Sequence, residues 1–260
     1  MDYLLVCSVA VVVAAMSFFS GFGLGTLLMP AFAVFFPIPV AVAATAVVHL
    51  ANNVFKLGLM ARHAHWHTVV AYGVPASLGA IAGAVALESM ARVPTWLTYG
   101  IAGHVAEVTP IKVVVGVVIA GFAVLELWPG SERVSFDRRW LWAGGLVSGF
   151  FGGLSGHQGA LRTAFLLRVG LTKEALVATR AAGAVVVDVS RLLVYGIAIR
   201  ASEADALRAN WGLVAAATLA AFTGTTIGRR LLREVTMPGL RKFIGVALLL
   251  LAGALVAGLV

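Results

Sequence analysis

The sequence predicts an all-α, polytopic membrane protein made of two inverted repeats, each a broken-helix hairpin followed by three transmembrane helices. Three observations carry this expectation. Hydrophobic residues make up 61% of the 260 residues and charged ones 12%, with a mean hydropathy of +1.00. A soluble domain is nearer half apolar and a quarter charged, so this chain has too little polar surface to face water. Apolar stretches long enough to span a bilayer recur along its whole length. Two of them are interrupted at their centres by clusters of glycine.

Residues 3–36 are too long for one helix and break at "SGFGLG" (20–25), which predicts two short helices meeting at a tip inside the membrane. This segment starts with Asp2 instead of a basic region and is followed by further spans, so it is expected to be retained, not cleaved as a secretory signal. Spans follow at 41–60, 68–88 and 110–128, with an interfacial segment at 95–109 that carries His104 and Glu107. A polar loop, 129–139, links the halves. The second broken stretch, 140–170, is interrupted at "FGGLSGHQG" (151–159), and spans at 174–199, 209–228 and 239–260 complete the chain. The organisation is thus a first repeat over 1–128, a cytoplasmic linker over 129–139 and a second repeat over 140–260.

Ordered landmarks support a duplication. "GTLLMPAFAVFFPIPVAVAAT" (25–45) aligns without a gap on "GALRTAFLLRVGLTKEALVAT" (159–179), and Gly79 and Gly83 match Gly224 and Gly228. A hairpin returns to its own side and three crossings do not, so the two repeats run in opposite directions. One side then receives Arg62, Arg133, Arg138, Arg139, Arg229, Arg230, Arg233, Arg241 and Lys242, the other Arg92, Lys112, Arg200 and Arg208. The richer side is expected to be cytoplasmic, with both termini outside, in the cell inner (plasma) membrane. The same rule accounts for most of the formal charge of +8, which therefore does not point to nucleic acid.

Polar groups inside the spans need a reason, because burying a charge in a bilayer is costly. Thr45, His49, Asn52, Asn53 and Lys56 fall within about a third of one helix circumference. Asparagines there also serve as glue between helices, and Lys56 also suits snorkelling to the surface. In the second half, Thr179, Arg180, Asp188, Ser190 and Arg191 lie on the matching span. Arg180 and Arg191 point nearly the same way, roughly 16 Å apart along the axis, and Asp188 with Arg191 suits a buried ion pair one turn apart. Arg180 has no acid at helical spacing.

At the second tip, Gly156 and Gly159 break the helix and a new half-helix starts near Gln158. Its first amides lack acceptors and carry the positive end of the dipole. Ser155, His157 and Gln158 add donors at the same point and Arg162 adds a charge one turn on; the first tip adds backbone amides from Ser20 through Gly21 and Gly23 to Gly25. Amide-bearing helix ends at mid-membrane favour anions, although serine and glycine also serve close packing. The histidines of "RHAHWH" (62–67) alternate, which shares a face only in a strand, so they read as loop residues in preference to metal ligands. Cys7 is the single cysteine, and no Walker loop or catalytic pattern is present. No metal, cofactor or enzymatic activity is expected.

With its first hairpin "SGFGLGTLLMPAF", the following "AVAAT", the "G-x-x-x-G" of 79–83 and their echoes in the second half, the chain resembles the TauE/SafE family of membrane transporters. The resemblance implies movement of sulfite or organosulfonates such as sulfoacetate. The first half keeps Gly21, Gly23, Gly25 and Pro30; the second departs, with His157, Gln158 and Arg162 among its glycines and Ala164 in place of a proline. The expected function is secondary transport of a small anion bound by Arg162 and Arg180, with a coupling proton on His157 or His49, and rocking of one half on the other. A cation transporter or channel using Asp188, Asn52 and Asn53, and a membrane scaffold without transport, are the alternatives. The exact substrate, direction, coupling ion and oligomeric state are left open by the sequence.

Overall fold

A computed structural model describes residues 2–17, 24–101, 104–130, 134–198, 201–231 and 238–260, with the backbone alone at 101, 104, 201–203, 231, 238–241, 243 and 244. Ser20, Gly21, Gly23, Arg133, Arg200 and Arg233 lie outside the described residues.

The first broken stretch forms α1 (Asp2–Ser17) and α2 (Leu24–Ala33). Then come α3 (Ile38–Met60), introduced by Pro37 and Pro39, and α4 (Trp66–Ala91) after a 3-10 turn at Ala61–His63. A β-hairpin of β1 (Leu97–Ile101) and β2 (His104–Val108) precedes α5 (Pro110–Leu127), whose first turn is capped by the Thr109 hydroxyl accepting from the Lys112 amide. The second half contains α6 (Leu141–Ser155), α7 (Gly159–Leu166), α8 (Lys173–Ala198), α9 (Ala201–Ala209), α10 (Trp211–Leu231) and α11 (Pro238–Val256). Among the described residues, five helices are long and apolar enough to cross a membrane, α3, α4 and α8 included. Exposed Val70, Val74, Leu78, Ile81 and Val85 make an apolar stripe along α4, as suits a lipid-facing surface.

Two elements differ from the sequence expectation. Segment 95–109 is the β-hairpin, and the Glu107 amide donates to the Gly258 carbonyl at 3.1 Å while the Tyr99 hydroxyl donates to Ala257, so the hairpin clamps the end of α11. Helix α9 is polar and short, which a search for apolar spans passes over. The linker is tied down at its end: the Phe136 amide donates to the Ala164 carbonyl at 3.1 Å and its ring stacks on Phe165 at 4.3 Å.

Packing is crosswise. Helix α4 lies along α6, α1 along α10, and α5 along α11, while α3 meets α8 at the centre. Glycines set the closest approaches. A Cβ on Gly79 or Gly83 would stand 2.1 or 2.0 Å from the carbonyl oxygens of Leu146 and Phe150, and one on Gly224 or Gly228 would meet those of Val11 and Ala15 at 2.1 and 2.3 Å. Backbone cannot yield as a side chain end does, so Gly83→Ala is expected to destabilise by about 1–3 kcal/mol or more, seen as loss of the monodisperse peak on size-exclusion chromatography. Gly121→Ala meets nothing within 4 Å and should hold or gain stability, since alanine favours helix by up to about 1 kcal/mol.

Candidate functional site

The two hairpins meet. Helix α6 ends at Gly156, whose φ of 80° is the left-handed conformation that glycine accepts without strain. Helix α7 starts three residues later. A Cβ on Gly25, in the first turn of α2, would lie 2.7 Å from the Gly156 carbonyl oxygen and 3.9 Å from the Thr45 methyl. Only glycine permits this contact, which brings the start of α2 and the tip between α6 and α7 to one point.

Gln158, at the N-cap of α7, makes no side-chain cap. Its Oε1 accepts from Arg162 Nη1 at 3.3 Å, while its Nε2 is buried without a partner. The other polar groups of the tip behave differently from the sequence expectation of added donors. The Ser155 hydroxyl donates to the Phe151 carbonyl at 3.1 Å within α6. His157 donates from Nδ1 to the Ser155 carbonyl at 2.9 Å, and its ring stacks on Phe122 of α5. The neutral imidazole therefore carries its lone pair at Nε2, which is buried, makes no hydrogen bond among the described residues and lies near the Thr26 backbone of α2; it becomes a donor only on protonation.

On α8, Asp188 and Arg191 form the expected pair. Asp188 Oδ1 accepts from Arg191 Nε at 3.0 Å and Nη2 at 2.7 Å, and Arg191 Nη1 donates to the Gly152 carbonyl at 3.0 Å. The second carboxylate oxygen lies 2.6 Å from His49 Nδ1 on α3. One buried carboxylate thus ties α3 to α8, and its arginine ties α8 to α6.

The α3 stripe divides. Asn52 accepts from the Thr225 hydroxyl of α10 at 2.7 Å, which is the glue role, and its Nδ2 is buried without a partner among the described residues. Asn53 donates to the His49 carbonyl at 2.8 Å. Lys56 is buried and donates to Ser17 of α1 at 2.8 Å instead of snorkelling. Thr45 is buried, and its hydroxyl has no partner among the described residues. Thr179 accepts from the His65 amide at 3.0 Å and so anchors the loop before α4, where His65 accepts from the Thr68 amide as N-cap. The chain thus uses His65 of the histidine run as a cap.

Two guanidiniums remain. Arg162 and Arg180 are 4% and 7% exposed, each with a partnerless Nε, and neither forms an ion pair among the described residues. Arg162 lies across α8 at Gly183, where a Cβ would stand 4.0 Å from Arg162 Cδ and 3.5 Å from the Tyr72 ring. Gly183 is one turn from Arg180 on the same face, and Arg162 lies within electrostatic range of Arg180. The structure therefore gathers Gly25, Gly156, His157, Gln158, Gly159, Arg162, Arg180, Asp188, Arg191 and His49 around the central seam, and turns Asn52 and Thr179 to neighbouring elements. Tyr72, bonded to Ser148, and Gly183 are neighbours that sequence reasoning missed: a tyrosine in an apolar span reads as an interfacial anchor, and a lone glycine carries no chemical signal.

Such a fold defines an all-α polytopic membrane protein. The family described as sulfite exporter TauE/SafE matches residues 6–255, and the chain belongs to it. It is a family of membrane transporters. No curated protein matches the chain.

Proposed function

We propose that the protein is a secondary transporter of a sulfur oxyanion or organosulfonate, and that the anion binds between Arg162 and Arg180 beside the touching hairpin tips. One observation carries this reading: two nearly fully buried guanidiniums with no carboxylate partner among the described residues, next to the free amide end of α7. Buried charge without a counter-ion is costly, and an anion supplies that counter-ion. The cation alternative is disfavoured because both Asp188 oxygens are engaged, by Arg191 and by His49.

A coupling proton fits His157 Nε2, where protonation turns an acceptor into a donor toward the anion, or His49, whose Nδ1 faces Asp188. The repeats 1–128 and 140–260 are supported by a short helix pair followed by three long helices in each half, with the β-hairpin in the first and α9 in the second as unmatched additions. The interlocked glycines favour a different moving division from the two sequence halves: α1, α2, α3 and α10 as one body, and α4, α6, α7 and α8 as the other. The contacts Gly25 to Gly156 and His49 to Asp188 both lie on that seam. Purified protein in liposomes tests the function: labelled sulfite should enter protein-containing vesicles above the protein-free rate, and an equal rate for every sulfur anion tried contradicts transport.

Orientation is open to a separate test. In a Cys7→Ser background, Glu203→Cys should react with an impermeant thiol reagent in intact cells and Ser135→Cys should not. The reverse pattern would place both termini inside.

A further inference from the structure

We infer that the buried centre selects by valence, taking a small dianion such as sulfite, sulfate or thiosulfate over a monoanion or zwitterion of the same size. This rests on the anion reading above and goes beyond it by fixing the charge of the ligand.

Among the described residues, three guanidiniums, Arg162, Arg180 and Arg191, are buried around α8; of the buried acids Asp188, Glu88 and Glu126, only Asp188 is among the groups acting on Arg162, and none is among those acting on Arg180. That carboxylate is used: Arg191 takes one oxygen through two nitrogens, and His49 faces the other. Arg191 is also fixed to the Gly152 carbonyl, so its charge is spent within the protein. Arg162 and Arg180 are left with two positive charges and no carboxylate among the described residues. The groups acting most strongly on Arg162 are Tyr72, Asp188 and Arg191, and on Arg180, Arg162 itself. Tyr72 is hydrogen-bonded to Ser148, and a phenol is neutral near pH 7. Lys56, hydrogen-bonded to Ser17, is a further buried basic group within electrostatic range of both arginines.

Inside a low-dielectric centre the two guanidiniums repel each other and attract an anion far more strongly than in water. A monoanion neutralises one of them and leaves the other buried and uncompensated. A dianion neutralises both, and its several oxygens match the planar forks of two arginines. A zwitterion such as taurine adds an ammonium group to a site that is already cationic. Sulfate and methanesulfonate make a matched pair for testing this: both are tetrahedral and of similar size, and they differ by one charge.

The experiment is ligand-induced thermal stabilisation of the purified full chain at about pH 8, above the ordinary histidine range, with ionic strength held constant. Sulfite, sulfate, thiosulfate, methanesulfonate, nitrate and taurine are titrated singly. At least one of the three dianions should half-saturate at about tenfold lower concentration than methanesulfonate or nitrate, and taurine should give no shift. Methanesulfonate acting at the same concentration as the best dianion overturns valence selection and leaves the anion reading standing. No shift with any anion overturns both.

A variant locates the effect. Arg180→Gln should reduce the dianion preference to within about twofold of methanesulfonate while raising the melting temperature without ligand, because a buried like charge has been removed. A preference that survives in folded Arg180→Gln places the second charge elsewhere and overturns the assignment. Should that variant not fold, the wild-type series decides alone.

Discussion

Arg162→Ala should weaken anion binding by about tenfold to hundredfold or more while the protein still reaches the membrane. Arg162 stands at the hairpin tip, 4% exposed, held by one 3.3 Å bond to Gln158 and by the packing of its stem on Gly183. Its removal deletes a buried charge with no ion-pair partner among the described residues, so folding is not expected to suffer from an orphaned acid. Hydrogen bonds to a charged group contribute roughly 1.5–3 kcal/mol, a loss of about tenfold to hundredfold or more in affinity. Arg162→Lys keeps the charge without the planar fork and should weaken binding less. Gln158→Ala should weaken it least, since a neutral donor is worth about half a charged one. Thermal stabilisation by sulfite reads all three. Stabilisation of Arg162→Ala equal to wild type would move the anion away from this tip.

Asp188→Asn should have the opposite signature, a collapse of folded protein. Asp188 is fully buried and is the acid shared by Arg191 on its own helix and His49 on α3. Removing its charge leaves Arg191 uncompensated, and breaking a buried pair costs about 3–5 kcal/mol. Asp188→Asn combined with Arg191→Gln should recover much of the lost expression, because the stranded charge goes with its partner. Size-exclusion profiles in detergent compare the single and double variants. Additive losses would mean that the pair is not an energetic unit and would free Arg191 to contact substrate.

Much of the architecture was legible in the sequence because it is written in hydropathy. The six uninterrupted spans and the two broken stretches all appear as helices within a few residues of their expected limits. The second tip was legible from Gly156, whose left-handed turn the structure displays. The Asp188–Arg191 pair was legible from its three-residue spacing on a helix. Residues 97–108 were not read as strands because the span argument seeks long apolar runs, and this short β-hairpin is anchored on the distant end of α11. His49 meeting Asp188 was invisible for a related reason: 139 residues separate them, and no spacing rule reaches that far. Which nitrogen of His157 donates depends on the nearest carbonyl, here that of Ser155, and no sequence pattern supplies that. Asn52 and Thr179 lie on the expected faces, yet their partners, Thr225 and His65, come from elements whose packing periodicity does not reveal.

The crosswise packing gives the site its place. Gly79 and Gly83 bind α4 to α6, and Gly224 and Gly228 bind α10 to α1, so each hairpin is carried by a helix of the other half. The charges sit where these assemblies face each other through α3 and α8. An anion bridging Arg162 of α7 and Arg180 of α8 would be gripped at that seam.

The central claim is that one anion is held by Arg162 and Arg180 together, and a double-mutant cycle on sulfite binding tests it most directly. Affinity is measured by calorimetric titration for wild type, Arg162→Gln, Arg180→Gln and the double variant. If both side chains hold the same ion, the second substitution should matter far less once the first is made, with a coupling of about 0.5–3 kcal/mol. Losses that simply add, or sulfite affinity unchanged in either single variant, would contradict a shared site.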